Sequence, residues 1–267
     1  MAPLRFGHVP NPFSQPVAVA LERGYFADVS VELEVTSFAN GSAMSAAMAR
    51  GEVDVGVGGH LQTLEAGGQV FFAPLGFERA PDHLPIALVS SMGSARELEG
   101  RAVGVSARAA ISELQLRIYM AGEGADFERL TLETMPFREM GDAFRAGAIV
   151  AASAPDPFAD ALERDGLGRI VDRGSLSTAL PAGERVMIAG LAAEASWLEH
   201  HRDQAHRISA ATGRAIDELA AGAAGPLHTP LFDHRLAPPD LQRVYDLAYE
   251  HRLIERPARA ADLIVGP

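Results

Sequence analysis

No cysteine occurs in this chain. Its absence excludes disulfides, thiolate metal sites and a cysteine nucleophile. It fits an exported protein and an oxidation-tolerant cytosolic one equally. No apolar run reaches the roughly 18 residues that span a bilayer, so no stable membrane insertion is expected. No signal peptide is visible, because Met1-Ala2-Pro3-Leu4-Arg5 leads directly into a strand-like pattern. The expected location is cytoplasmic if Met1 is the native start, and periplasmic or extracellular if a leader was removed. Basic residues are the minority: 23 Lys and Arg face 35 Asp and Glu, a net charge of −12. A nucleic-acid binder would show a basic face, so no nucleic-acid partner is expected. Glu199-His200-His201 and His206 have the composition of a metal cluster. Helical spacing puts His200 and His201 on different faces, which reads as a solvated helix. Neither a metal nor another cofactor is expected.

What is present is the composition of a soluble globular protein, 48% hydrophobic and 22% charged. A chain of 267 residues buries a sizeable core as one large domain or two lobes. Residues 44–60 organise it. Ala43, Met44, Ala47 and Met48 share one helical face. Gly51 sits where a helix closes in the left-handed region. Val53, Val55 and Val57 read as a buried strand. Gly58-Gly59-His60 ends that strand where backbone can approach a ligand closely. The pattern recurs without gaps at 140–151. Met44 matches Met140, Ala47 matches Ala143, Gly51 matches Gly147 and Val53 matches Ile149. Upstream, residues 4–8 open the first half much as 101–106 open the second. Two echoes at nearly the same offset predict two similar α/β lobes, each a strand–helix–strand–helix–strand run.

Along the chain, strands are expected at 4–8, 31–36, 53–57 and 70–77, with Val31, Leu33 and Val35 turned inward. A strand at 85–91 is expected to cross between lobes, with Glu78 and Arg79 as surface charges near the hinge. In the second lobe, strands are expected at 101–106, 130–134 and 149–154, with returning strands at 170–171 and 186–191. Helices are expected at 17–23, 61–66, 109–121 and 158–164. The end reads helical over 195–220 and 239–251, around a Pro/His-rich loop, and closes back on the first lobe. Alternating strands and helices predict parallel α/β sheets. Lobe I then comprises 1–88 plus 187–267, and lobe II comprises 89–186.

Several stretches carry a resemblance: "LRFG" at 4–7, "VAVALERGYF" at 17–26, "MARGEVDVGVGG" at 48–59, "ELEGRAVGVS" at 97–106 and "FRAGAIVAASAPDPF" at 144–158. In order and spacing the chain resembles the SsuA/THI5-like (NMT1-type) solute-binding proteins of the type II periplasmic-binding fold. The similarity runs from Leu4 to about Val171, and more loosely beyond. It implies two lobes joined by two crossing strands, with the ligand in the cleft between them. Loops 9–16, 38–42, 58–62, 106–111 and 155–158 would meet there, beyond the carboxyl ends of the strands. Each joins a strand end to a helix start, so free backbone N–H groups would face the ligand, which suits a carboxylate or sulfonate.

The candidate ligand residues each have a plainer reading. Asn11, Phe13, Ser14 and Gln15 read as ligand contacts or as an ordinary Pro-rich turn. Asn40 and Ser42 read as ligand donors or as helix caps. Gly59 and His60 stand at a strand end facing the cleft, as does His8. Phe13 and Phe38 would supply an apolar wall. Ser106 opens the second-lobe loop. Arg108 reads as a carboxylate clamp or a solvated arginine. Asp156 stands where the resembled family carries an acidic residue before Pro-Phe; it would accept from the ligand or cap the next helix.

The resemblance implies an ABC-transporter-type solute-binding protein, a monomer that closes on a small anionic organic solute and is read by a permease. The alternative is a cytosolic enzyme on the same fold: a decarboxylase, dehydratase or isomerase-like lyase acting on a small aromatic or carboxylate substrate. "GHVPN" at 7–11, "GYF" at 24–26 and "GVSARAAISELQLR" at 104–117 are also similar to the aromatic-sulfinate desulfinases. Gly7 stands where those enzymes carry their nucleophilic cysteine, so thiolate chemistry is excluded. His60 or His8 would then be the general acid/base. The cysteine- and histidine-bearing motif of THI5-type precursor-synthesis proteins is not recognisable here.

Overall fold

The computed structural model describes residues 2–222 and 229–266. Met1, Pro267 and the middle of the expected Pro/His-rich loop, 223–228, lie outside the described residues. The first part runs β1 (Leu4–His8), α1 (Gln15–Glu22), α2 (Tyr25–Asp28), β2 (Leu33–Ser37), α3 (Gly41–Ala49), β3 (Val55–Gly58), α4 (His60–Ala66) and β4 (Gln69–Arg79). The second runs β5 (Ile86–Ser90), β6 (Ala102–Val105), α5 (Ile111–Gly122), β7 (Thr131–Thr134), α6 (Met140–Arg145), β8 (Ala151–Pro155), α7 (Phe158–Arg164) and β9 (Arg169–Arg173). The return runs α8 (Ser175–Thr178), β10 (Arg185–Glu194), α9 (Ala195–His200), α10 (Arg202–Ala221), β11 (Leu231–Phe232) and α11 (Pro238–Glu250).

Two sheets form. The first has the order β11-β4-β10-β3-β1-β2 and the second β7-β6-β8-β5-β9. The repeat is therefore structural: β2-β1-β3 and β7-β6-β8 are parallel triplets in the same spatial order. Met44 and Met140 are both fully buried, as are Val53 and Ile149. Gly51 and Gly147 both take a left-handed turn, at φ +69° and +67°. The sheets are mixed rather than parallel throughout. β10 runs antiparallel to β3 and β4, and β5 runs antiparallel to β8 and β9. These strands arrive by crossing between lobes, without the helical crossover that enforces parallel pairing.

The strand expected to cross lies wholly in the second sheet, since Ile86–Ser90 pairs only with β8 and β9. The crossing itself falls on 80–85, and the return falls on 174–184. β2 also departs from expectation. It is an edge strand with one neighbour, and Val35 is 41% exposed rather than turned inward. The helical run expected over 195–220 breaks at His201, whose backbone leaves the helix between α9 and α10. His201 stacks on Trp197, and His200 and His201 each hydrogen-bond a carbonyl one turn back. Among the described residues no group of three His, Asp or Glu side chains is placed to hold a metal.

One apolar core joins the first sheet to α1, α10 and α11, through Phe6, Phe71, Ile208 and Tyr245 among others. The C-terminal helices thus close back on the first lobe. Arg23 and Tyr25 bond Glu218, and Arg214 bonds Asp28. The second sheet is covered on both faces. Met140, Phe144 and Leu162 pack one side, and Leu98, Leu116 and Met120 the other.

Candidate functional site

A cavity of about 80 Å³ opens between the two lobes. A single water needs roughly 10–15 Å³ on this scale, so the space suits a ligand of about five to eight non-hydrogen atoms. Every strand of the two parallel triplets contributes, through its end or the chain after it. β1 leads to Val9, Asn11 and Phe13; β2 to Asn40 and Gly41; β3 to Gly59, His60 and Gln62. From the second lobe, β6 leads to Ser106, Ala110, Ile111 and Ser112, and β7 to Phe137; Pro155 ends β8. Val57 and Gly58 on β3, Ile86 on β5, and Ile188 and Ala189 on β10 complete the wall.

Two helices of good length point their first turns at this space from opposite lobes. α3 begins at Gly41 and α5 at Ile111. Their first N–H groups have no partner within the helix, and the helix ends carry partial positive charge. Asn40 Oδ1 accepts from Ala43 N at 2.9 Å, and Asn11 Oδ1 accepts from Phe13 N at 3.1 Å. Each asparagine uses its carbonyl oxygen as a cap, so its NH2 donors are what it can offer a ligand.

His60 is the one titratable side chain among the described lining residues. It is 1% exposed, and its Nε2 pairs with the Met187 carbonyl. A carbonyl only accepts, so Nε2 carries the proton and Nδ1 is a bare acceptor. Burial outweighs that hydrogen bond and pushes the imidazole pKa down to about 4, leaving the ring neutral near pH 7.

Six of the twelve expected ligand residues line the cavity: Asn11, Phe13, Asn40, Gly59, His60 and Ser106. The other six do not. The Ser14 hydroxyl is buried and donates to Val9 O at 2.9 Å. Gln15 is exposed, and Ser42 is partly exposed in the first turn of α3. Phe38 packs on Ala47, Met48 and Val53. Arg108 is solvated, with 59% of its side chain exposed and an ion pair to Glu113 at 3.3 Å. Asp156 is taken up by Arg173 at 2.5 and 3.2 Å, and accepts from Asp160 N at 3.2 Å. His8 also stands outside the cavity, with Nε2 2.8 Å from Ser37 Oγ on the neighbouring strand. Glu78 is not a surface charge but 0% exposed, while Arg79 lies near Asp82 at 3.9 Å.

Reading the sequence missed Phe137, Ser112, Ile188 and Ala189. The internal repeat held the signal for Phe137. It stands at the same offset from Gly41 as Met140 from Met44, so an aromatic follows β7 where the lining Gly41 follows β2. Phe137 stacks on Phe158 with centroids 5.5 Å apart and, with Phe13, forms the aromatic wall expected of Phe38. Ile188 and Ala189 had no such signal, because they lie on the returning strand outside the repeat.

Two α/β lobes of like topology, crossed twice by the chain and lined at their strand ends around one cleft, define the type II periplasmic-binding class. Within it, the NMT1-like family model matches residues 1–224, and the chain belongs to that family. Among solved structures it is similar to the alkanesulfonate-binding protein SsuA of Xanthomonas axonopodis pv. citri bound to MOPS. That match has 18% identity over 100% of this chain and 99% of the other, at a TM-score of 0.77. The periplasmic aliphatic sulphonate-binding protein SsuA of Escherichia coli matches at 19% identity, 99% and 97% coverage and a TM-score of 0.70. A DszB variant in complex with biphenyl-2-sulfinic acid matches at 14% identity, 98% and 96% coverage and a TM-score of 0.68. No curated protein sequence matches the chain.

Proposed function

We propose that the protein is a monomeric solute receptor that closes on a small organic anion, a carboxylate or sulfonate, and presents it to an ABC permease. The observation that carries this reading is the chemistry of the cavity wall. No charged side chain lines it among the described residues, while Asn11, Asn40 and the first turns of α3 and α5, which carry N–H donors, do. Fixed N–H dipoles can replace the water lost by a buried anion. A buried cation would find no carboxylate there. The relatives named for sulfonates support the same direction. The receptor reading implies a location in the periplasm or outside the cell, as for the Escherichia coli relative.

The test joins native mass spectrometry of fresh protein to thermal scans with ethanesulfonate, propionate, 1-propanol and ethanolamine. Small acids should raise Tm, and the neutral and cationic analogues should not. At one hundred times Kd the gain is about 2.7 kcal/mol, or roughly 5–10 °C. Stabilisation by ethanolamine alone, or by none of a broad set of small acids, would overturn the reading.

A further inference from the structure

Two residues of the cavity wall each carry a buried polar atom with no partner among the described residues: Nδ1 of His60 and the hydroxyl of Ser112. Both residues are almost wholly buried, at 1% and 2% exposure. Buried polar groups are nearly always paired, so two unpartnered groups on residues of one cavity point to a ligand that pairs them. They also come from opposite lobes, His60 from α4 and Ser112 from α5.

Their chemistry narrows what the ligand carries. His60 Nε2 is committed as a donor to the Met187 carbonyl, so Nδ1 can only accept. Burial holds the ring neutral, which keeps it so. A plain alkanoate or alkanesulfonate has only acceptors and would leave Nδ1 unpaired. An ammonium could donate to it, but the described wall offers no carboxylate to balance the charge. A hydroxyl fits both orphans: its hydrogen donates to Nδ1 and its oxygen can accept from Ser112. We infer that the ligand is a small hydroxy acid, whose hydroxyl is read by His60 on one lobe and Ser112 on the other.

This rests on the anion-receptor reading and adds a requirement to it. The test is calorimetric titration of the protein with matched probes: 2-hydroxyethanesulfonate against ethanesulfonate, lactate against propionate, and 2-aminoethanesulfonate as the amine. The hydroxy acid of at least one pair should bind roughly 5- to 150-fold tighter than its plain partner, the range for pairing a buried orphan. His60→Gln keeps a donor near Nε2 for Met187 but moves its one acceptor, the amide oxygen, off the Nδ1 position, so the preference for the hydroxy acid should fall to within about twofold. Ser112→Ala is nearly isosteric and should shrink the same preference; it carries the test if His60→Gln fails to fold by circular dichroism. Equal binding within both pairs overturns the inference and leaves the anion reading standing. Tighter binding of the amine than of the hydroxyl also overturns it. Binding of none of the acids overturns the anion reading, and this inference with it.

Discussion

Replacing Glu78 by Gln should change how stability depends on pH. Glu78 lies on β4 with no exposed surface, and its Oε1 accepts from Ser177 N at 3.1 Å and Ser177 Oγ at 3.0 Å. Ser177 belongs to α8, on the return crossing, so this carboxyl ties the first sheet to the connection between lobes. Its other oxygen is buried without a partner among the described residues. Burial raises its pKa from 4.5 to about 7, the Ser177 bonds oppose the rise, and Asp172 adds to it. The folded state therefore holds a proton between about pH 4.5 and 7 that the unfolded chain has released. Stability from this group is fully present below 4.5 and is lost as pH rises through 7. The difference of about 2.5 in pKa corresponds to on the order of 3 kcal/mol, a large share of a typical 5–15 kcal/mol. Glutamine keeps an acceptor for Ser177 and cannot ionise. Urea unfolding of both proteins at pH 4.5, 6, 7 and 8 measures the effect. The stability of Glu78→Gln relative to wild type should climb by a few kcal/mol across that series. A difference constant to within about 0.5 kcal/mol would refute the buried, raised carboxyl.

His60 should act in the opposite sense. Its pKa is lowered to about 4 by burial, so its contribution is present above about 6.5 and lost as pH falls through 4. His60→Gln should flatten that acid limb, by on the order of 3 kcal/mol in urea unfolding; an unchanged limb would contradict its neutral burial. Gly56→Ala should be destabilising, since its Cβ would lie 2.7 Å from Met44 Sδ and 3.1 Å from Gly7 O. The cost expected for overpacking is about 1–3 kcal/mol, or roughly 2–12 °C in Tm by calorimetry, and an unchanged Tm would show that Met44 yields freely. Arg108→Ala should alter the Kd of a bound acid by less than about threefold in calorimetric titration, because the guanidinium faces solvent and Glu113. A tenfold loss would mean that Arg108 turns into the cleft when ligand is present.

Near-neighbour pattern determined much of this protein. The helical face of Met44 and Met48, the left-handed stops at Gly51 and Gly147, and the run from Val53 to Val57 are local preferences. They read the same before and after folding. Because the pattern is written twice, it also announced two similar lobes, and the loops at their strand ends held six of the expected ligand residues. The tertiary structure decided the rest, because burial and pairing join residues far apart in sequence. Val35 alternates with Glu34 and Thr36 in sequence but lands on an edge strand that is exposed on both faces from Glu34 to Ser37. Arg108 and Asp156 have the charge for a ligand clamp, yet Glu113 and Arg173 hold them. Phe38 and Phe137 are equally aromatic, and only packing assigns one to the core and the other to the cavity. The tautomer of His60 depends on the Met187 carbonyl, 127 residues away. No local pattern carries that bond; it exists only once β10 has crossed back between the lobes.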